Sequence, residues 1–547
     1  MLFLTAQIYN KIFFLQLPFS INWIQLFPIL KQEVQSILKK TLLLHSSFHS
    51  RFNAESTITA IFFFESISPK SKKETIMNNI STHHFMGLIM AGGLALTAIA
   101  GNYTTAGDGT THTLSSLAKI AGSGVSRQGN VITITDSVTI AQADKFKLED
   151  GLTVCMGEAV VLRINGQAML EVANGTTFTA IAGTTPFTVQ VWDMTQETRL
   201  KNITFDQVGF RGPGKAFVVD HCTFTHFNGA NKGHSAFNMN GENSHYTFTN
   251  CHFERNQYSA IASGANLHAP VSISDCKFIA NGVSGKKYPQ LNLTVADSVI
   301  VRGCTVQGDP TFDKVGGIAV SNMLGKAGNH FTLIENNIIT HNSYGITTLG
   351  LQSAVIKNNI IAHNTHIANA MLGGSGISVS NTGAGNNIII TGNNIEDNLW
   401  GITAIGLKGN HINVNMGKTG NPAASDYNPG DNVFKNNGNG GTLYDLYNNS
   451  PDTIYAQGNT WNVEVQDSIS IEKVITHKPD IASLGLVVFM PAHNEQSAIH
   501  NAQVARQAIE TRYYNLAGLA VKQPLNGIYI AVTRYNDGTA QTKKVVR

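Results

Sequence analysis

The sequence predicts an all-β protein whose body, residues 130 to 490, is a right-handed parallel β-helix solenoid. The first reason is a repeat: a small or amide residue, a variable residue and a large apolar residue recur nine times, from Cys222-Thr-Phe224 to Asn459-Thr-Trp461, at steps of 22 to 39 residues. The second is composition, because only 13% of residues are charged and 51 are Gly. Self-similarity at such periods marks a solenoid, and few charges with many turn residues favour strands over helices.

Further positions keep the same register. An Asn stands five residues after the marker in six coils, and a small residue precedes Ile shortly afterwards, as in Gly345-Ile346 and Gly401-Ile402. Asn and Gly tolerate the left-handed backbone that tight corners need. Stacked coils then bury a continuous core, and each interior Asn can hydrogen-bond to the Asn of the next coil. The six Asn residues are Asn256, Asn281, Asn342, Asn364, Asn398 and Asn437.

Composition also limits the partners. A formal net charge of +3 without a basic stripe excludes a nucleic-acid partner. The five Cys form no CxxC and lack zinc-site spacing, so no metal ligands are assigned; stacked Cys are interpreted as apolar filling, with a disulfide between neighbours left open. No cofactor is expected, and calcium, although possible on such a surface, has no acidic cluster to hold it. We expect a monomer.

The amino-terminal region divides in two. Residues 1–76 carry apolar runs without helical or strand period and are interpreted as mis-called upstream sequence before a second start at Met77. Residues 77–100 then read as a signal peptide that ends in Ala98-Ile99-Ala100; a membrane anchor is the alternative, although the apolar stretch is short for a span. Residues 101–195 are expected to form the N-terminal cap and first coils, and residues 196–490 the main β-helix.

Two phrases resemble the pectin-lyase-like family of right-handed β-helix proteins with parallel β-helix repeats. They are Leu162–Leu170 in the first coils and Gly485-Leu-Val-Val-Phe-Met-Pro491 at the closing end. The resemblance implies the fold and names no activity, but many secreted proteins of this fold act on polysaccharides. It therefore suggests a polysaccharide or host glycan as the partner.

The carboxyl end has its own signature. After a polar linker at 491–508, residues 509–547 contain Pro524-Leu-Asn-Gly527-Ile-Tyr-Ile530 and end in Thr542-Lys-Lys-Val-Val-Arg547. This is similar to the type IX secretion sorting domain of Bacteroidota, which implies a small β-sandwich-like domain, the type IX secretion machinery as a partner, and a secreted or outer-membrane surface location. A simple terminal β-hairpin, turning at Asn536-Asp-Gly538, is the alternative.

Candidate site residues come from the densest polar stretch and from aromatic positions. Lys232, His234, Arg255 and His268 are candidates for catalysis, since a general base beside cationic groups suits β-elimination of uronic acids. The alternative is ordinary solvated loop charge. Candidates for substrate binding are Asn238, Tyr258, Tyr344 and Trp400.

The three aromatic candidates occupy similar sites just before the small residue and Ile of each coil. They are interpreted as a sugar-binding stripe, with packing at the corner as the alternative. Asp220-His221 resembles part of a pectate-lyase phrase, with Arg211 and Lys215 nearby, but also fits a simple turn. Two functions remain: a surface protein that binds or displays toward polysaccharide or host ligands, and a polysaccharide-degrading enzyme, with a uronic-acid lyase favoured over a glycoside hydrolase.

Overall fold

The structure is a computed structural model that describes most of the chain from residue 102 onward. The described residues are 102–229, 234–241, 244–263, 267, 269–294, 297–312, 314–322, 331–383, 386–406, 410–493, 508–515, 519–522, 524, 527–535 and 540–546. The segments interpreted as upstream sequence and signal peptide lie outside them, as does most of the expected linker.

The body is a parallel β-helix, as the repeat predicts, with three strands in each regular coil. Sheet 1 is a run of 14 strands in which each strand pairs in parallel with the strand of the next coil. Sheet 1 starts at residue 102, earlier than the marker pattern predicts. The pattern misses the first strand because that strand is short and has no apolar alternation. Its strands are Asn102–Thr104, Ser137–Ile140, Val161–Ile164, Thr188–Val191, Gly209–Gly212, Phe237–Met239, Ile261–Ser263, Pro289–Thr294, Gly316–Asn322, Ile346–Gly350, Ser375–Ser380, Trp400–Ile405, Leu446–Asn449 and Ile475–Thr476.

Sheet 2 consists of the strands that precede the marker in each coil. Two long strands, Gln167–Ala180 and Glu197–Asp206, bend through the corner and contribute their first halves to sheet 2 and their second halves to sheet 3. The other strands of sheet 2 are Thr111–His112, Lys145–Lys147, Ala216–Asp220, His245–Thr249, Val271–Ser274, Val299–Arg302, Phe331–Glu335, Ser353–Lys357, Ile388–Thr391, Val414–Gly417, Ile454–Ala456 and Val487–Val488.

Sheet 3 contains the marker itself, directly after a one-residue corner. Its first strand runs antiparallel to its neighbour, and the remaining pairs are parallel. Its strands, besides the two bent ones, are Val125–Gln128, Val131–Ile134, Thr153–Met156, Thr223–Thr225, His252–Glu254, Lys277–Ile279, Thr305–Gln307, Ile338–Thr340, Ile360–Ala362, Asn394–Glu396 and Val433–Lys435.

The interior is layered, coil upon coil. Phe224 and Phe253 stack with ring centroids 4.7 Å apart, close to the spacing of parallel strands. The Cys of the marker column are buried and free, and burial raises the pKa of the Cys222 and Cys276 thiols, so these thiols stay protonated. The interpretation as apolar filling therefore fits better than a disulfide ladder.

Both predicted columns of Asn form. In the marker column, Asn337 Nδ2 donates to Asn359 Oδ1 at 2.9 Å, and Asn359 Nδ2 donates to Asn393 Oδ1 at 2.9 Å. In the second column, Asn364 Nδ2 donates to Asn398 Oδ1 at 2.9 Å. These bonds satisfy buried amides at the corners, where the strand ladders leave backbone groups unpaired.

Short helices close the two ends. Near the start, helix Leu114–Leu117 buries both of its Leu residues and is capped by Thr113. Near the end come helix Ser468–Ile471 and the 3-10 turn Glu472–Val474, with a small hairpin of Gly438–Asn439 and Thr442–Leu443 before them. Such closing segments cover strand edges and core that an open solenoid exposes.

The carboxyl-terminal region is a separate antiparallel sheet of four strands. In spatial order they are Ala520–Val521, Ala508–Tyr514, Ile528–Tyr535 and Ala540–Val546. The last two strands pair as the predicted hairpin, although the Asn-Asp-Gly turn lies outside the described residues. The described residues here form one sheet, with no second layer among them. Across the described chain, no helix has the length and apolarity needed to cross a membrane.

Candidate functional site

The outward face of sheet 1 carries a row of polar side chains in the early coils. Side chains alternate along a strand, so the residue between two buried neighbours points outward. Arg163, Gln190, Arg211 and Asn238 occupy this position on four successive strands, and strand pairing aligns them in one register. The coil stacking spaces them at about 4.8 Å, so their polar ends form a continuous strip.

Gln190 organises one end of this strip. Its side-chain oxygen accepts from Arg163 Nη2 at 3.1 Å and from the indole nitrogen of Trp192 at 3.1 Å, while its nitrogen donates to Thr188 Oγ1 at 2.8 Å. Arg163 also lies over the Trp192 ring, 5.1 Å from the ring centre. These contacts fix the guanidinium and the indole side by side. Trp192 remains 37% exposed, unusually high for this side chain.

Arg211 is the second cation of the strip. Burial and the charge of neighbouring Arg163 lower the pKa of Arg211, but the guanidinium stays charged at any physiological pH. Its Nε is buried and, among the described residues, has no hydrogen-bond partner. Neither arginine forms an ion pair with a carboxylate of the described residues. The two uncompensated guanidinium groups lie two strands apart, on either side of Gln190, and their mutual repulsion favours an anion bound between them.

A depression opens beside Trp192, with a volume of about 480 Å³. It is lined by the turns that follow three successive strands of sheet 1, at residues 142–145, 165–167 and 192–196. Two carboxylates in this wall already have partners: Asp144 accepts from the backbone N–H groups of Gly107 and Gly109 at 2.9 Å, and Asp193 accepts from Thr195. The depression therefore adds polar and aromatic surface without a free acidic pair for hydrolysis.

Two of the sequence-predicted residues lie at this strip. Asn238 is its fourth member. His234 precedes the same strand, and its ring lies 5.2 Å from that of Phe187, which precedes Thr188–Val191, two strands away in sheet 1. Lys232 and His268 lie outside the described residues. The structure therefore describes only part of the candidate set, and three of the four residues of the strip, Arg163, Gln190 and Arg211, were not in that set.

Arg255 lies elsewhere. It occupies the corner between sheets 3 and 1 with φ of 51°, and its guanidinium pairs with Asp309 at 3.3 Å and with Glu254 at 4.0 Å. It is an exposed, charge-compensated corner residue, which matches the alternative interpretation of solvated charge better than a catalytic role.

The three aromatic candidates pack into the same corner. Tyr258 and Trp400 are each 7% exposed, and burial raises the pKa of the Tyr344 hydroxyl. Each ring lies over a glycine of the preceding coil, where a Cβ would meet the ring at 2.3–2.9 Å: Gly229, Gly316 and Gly374. The burial of these rings matches the alternative of corner packing better than an exposed sugar-binding stripe, because the glycines leave the space that the rings fill.

Asp220-His221 is a turn. His221 has φ of 50° and its Nδ1 lies 2.7 Å from Asp220, on the corner between sheets 2 and 3. The partial resemblance to a catalytic phrase thus coincides with a corner whose conformation recurs in later coils, at Asn250 and Asp275.

Among the described residues, Glu472, His477 and Asp480 are the one group of three possible metal ligands whose ligand atoms all lie within 4.8 Å of one another. Nδ1 of His477 accepts the backbone N–H of Val487 at 2.9 Å, so the proton of a neutral ring sits on Nε2, which donates to Glu472 at 2.9 Å. A protonated nitrogen has no lone pair for a metal. The group is therefore a set of hydrogen bonds within the closing segment of the solenoid.

Sequence reasoning missed Arg163, Gln190 and Trp192. Alternation at Val160–Ile164 was visible, but the register between coils was not, because the coils before the Cys markers carry no repeated signature. Only the strand pairing shows that Arg163, Gln190 and Arg211 follow one another on adjacent strands.

Comparison with known proteins adds fold-level likeness only. No protein-family model and no curated protein matches the chain. Among solved structures, a mutant of the periplasmic alginate epimerase AlgG is similar at 12% identity and a TM-score of 0.36, covering 70% of this chain and 84% of its own. A mutant tailspike protein of E. coli bacteriophage HK620, in complex with a pentasaccharide, is similar at 11% identity and a TM-score of 0.24, covering 80% and 85%. The β-helix assignment rests on the strand pairing of this chain.

Proposed function

We propose that this protein is exported and binds an acidic polysaccharide along the outward face of sheet 1. The observation that carries the proposal is the pair of uncompensated cations, Arg163 and Arg211, next to the exposed ring of Trp192. A guanidinium pairs in two-point fashion with a carboxylate or sulfate, and an indole face offers an apolar platform for a sugar ring. A flat strip that crosses several coils suits a polymer with repeating charges.

Binding is favoured over cleavage. A uronic-acid lyase needs a general base that removes a proton from the sugar, besides cations that neutralise the carboxylate. The strip from Arg163 to Asn238 supplies cations and amides but no base among its own members. Lyase activity is the alternative outcome of the experiment below. It would be detected because elimination leaves an unsaturated product that absorbs ultraviolet light.

The test compares charged and neutral polymers. Affinity electrophoresis of the full chain in gels containing polygalacturonate, alginate or heparan sulfate should show retardation, and gels with neutral dextran should not. Arg163→Gln and Arg211→Gln should each weaken binding to the acidic polymer by roughly tenfold, the effect of one charge-assisted contact of about 1.5 kcal/mol.

Arg199→Gln is the matched control. Arg199 is an exposed arginine of the same coil as Gln190, lies on sheet 2 and pairs with Glu197 at 2.6 Å, so the variant changes net charge equally on another face. Equal loss in all three variants would indicate nonspecific charge attraction and reject the site. Absence of retardation on every acidic polymer would reject the function, and accumulation of unsaturated product would replace binding with the lyase.

The export part of the proposal is supported by the two terminal patterns, the signal peptide at 77–100 and the sorting segment at 509–547. An extracellular or surface location gives the strip access to polysaccharide. Determination of both ends of the mature chain tests this part.

A further inference from the structure

Three coils place ionisable residues in one column at the corner between sheets 3 and 1. Thr340, Ala362 and Glu396 pair in register, so the residues that follow them, His341, His363 and Asp397, occupy equivalent corner positions. All three have left-handed backbones, with φ of 57°, 56° and 54°. Successive members of the column are therefore about one strand spacing, roughly 4.8 Å, apart.

The side chains in this column face one another. The His341 and His363 rings have centroids 5.1 Å apart, and His363 Nδ1 lies 3.9 Å from Asp397 Oδ2. Nδ1 of His341 is buried and has no hydrogen-bond partner among the described residues. A bound ligand would give this nitrogen a partner, and buried polar atoms in proteins nearly always have one. A third imidazole, His366, follows His363 by three residues.

The backbone beneath these residues is fixed. Asn342, Asn364 and Asn398, which directly follow the three corner residues, are fully buried or nearly so and are joined by side-chain hydrogen bonds of 3.2 and 2.9 Å. The corner thus holds its side chains on a rigid column, which is the preorganisation that a ligand site needs.

We propose that this corner binds a divalent transition-metal ion, with Zn²⁺ as the representative, through the imidazoles of His341, His363 and His366 and the carboxylate of Asp397. Imidazole nitrogen suits Zn²⁺, Cu²⁺ and Ni²⁺, and three imidazoles with one carboxylate complete a tetrahedral set. The proposal is independent of the glycan strip, which lies on the early coils.

A third imidazole lies close to this pair. Burial, the charge of His363 and the charge of His366 lower the pKa of His341, which places His366 near the His341 side chain.

Metal binding requires these side chains to move together. Zn²⁺ with bonds of about 2.0–2.1 Å needs ligand nitrogens roughly 3.3 Å apart, closer than the 5.1 Å between the centres of the His341 and His363 rings. In the described part of the chain the four ligands are not preassembled, since only Glu472, His477 and Asp480 have ligand atoms within 4.8 Å of one another. Rotation about the two side-chain torsions of each His is the movement that the proposal requires.

The test uses the full chain titrated with ZnCl₂ by isothermal titration calorimetry. Wild type should bind one ion at this site, and His341→Asn and His363→Asn should each weaken binding by roughly tenfold or more, since even supporting residues of metal sites contribute 10–100-fold. Asn is chosen because it tolerates a positive φ, so the corner keeps its conformation. Asp397→Asn should have a smaller effect.

His226→Asn is the matched control. His226 belongs to the same corner column, with φ of 56°, but its partner is Asp206 at 2.9 Å. It should leave Zn²⁺ affinity unchanged. Co²⁺ absorption gives a second readout, because a tetrahedral nitrogen site yields strong visible bands that the two His variants should abolish. Unchanged Zn²⁺ affinity in the His341→Asn, His363→Asn double variant, or no binding by folded wild type, would overturn the proposal.

Discussion

At the scale of single residues, Asp445 shows how the second Asn column ends. In earlier coils the equivalent Asn donates its Nδ2 to the Asn of the next coil. Asn437 Nδ2 instead donates to Asp445 Oδ1 at 3.2 Å, and the backbone N–H of Asn462 donates to Asp445 Oδ2 at 2.8 Å. The carboxyl group has no exposed surface, and burial raises the pKa of Asp445 to about 7 despite these two donors.

This raised pKa predicts a pH-dependent stability. The folded state binds the proton up to about pH 7 and the unfolded state only to about pH 3.9, so the contribution of Asp445 to stability is greatest below the unfolded pKa and is lost as pH rises through 7. The full effect is on the order of 4 kcal/mol. Denaturant midpoints measured from pH 4 to 8 should fall with pH up to about 7 in wild type and then level off, and they should fall less in Asp445→Asn.

Asp467→Asn serves as the control, since Asp467 is an exposed cap of a short helix at the same end of the solenoid. Its midpoints should follow the wild-type curve. If the Asp445→Asn curve ran parallel to wild type, the carboxyl group would not be the titrating group.

At the scale of elements, the Asn columns hold the corners together. Asn359 donates to Ile334 O at 2.9 Å and to Asn393 Oδ1, and it accepts from the backbone and side-chain N–H groups of Asn337. All these groups are buried between coils, so removal of one amide leaves donors and acceptors on both sides without partners.

Asn359→Ala should therefore lower the free energy of unfolding by about 3 kcal/mol or more, since each buried unsatisfied group costs about 1–3 kcal/mol. Urea unfolding followed by circular dichroism measures it. The control is Asn358→Gly, because Asn358 is the exposed neighbour with φ of 56°, where Gly is tolerated. Similar losses in both variants would show that the corner backbone, and not the interior amide, determines stability.

The columns also show what sequence can and cannot predict. Asn337 and Asn359 were predictable because marker, corner and strand recur together, and the structure confirms their hydrogen bonds. Between Asn256 and Asn437 one coil lacks this Asn: Asp309 stands where the pattern expects it. Gln290 of sheet 1 fills the gap by accepting from Asn281 at 3.1 Å and donating to Asn342 at 3.0 Å. A longer side chain from a different strand leaves no periodic signal.

Site residues were less predictable for a related reason. Outward positions such as Arg163 and Arg211 are free to vary between coils, so they carry no repeat of their own, and their proximity depends on loop lengths that shift the sequence spacing. The His341 and His363 pair did have a signal, since both follow the marker Asn by four residues, but it becomes informative only once the corner register is known.

At the scale of the whole molecule, the strand pairing makes the two proposed processing cuts compatible with an intact solenoid. Sheet 1 begins at Asn102–Thr104, after the proposed cleavage at Ala100, and the four described strands between 508 and 546 pair with one another. Removal of both ends therefore takes none of the described strands from sheets 1, 2 or 3.

The mature protein recovered from producing cells should accordingly start near Gly101 and end near residue 505. N-terminal sequencing and intact mass spectrometry measure both ends. The mature form should unfold at the same urea midpoint as the full chain, because it keeps every described strand of sheets 1, 2 and 3. Replacing Ala98 and Ala100 with Arg should block the first cut, since signal peptidase accepts small residues there. Deleting 509–547 is the complementary variant: it should keep the same folded body inside the outer membrane. A mature start at Met1, or normal surface display of the deletion variant, would contradict the export scheme and leave the glycan strip to be explained by a different location.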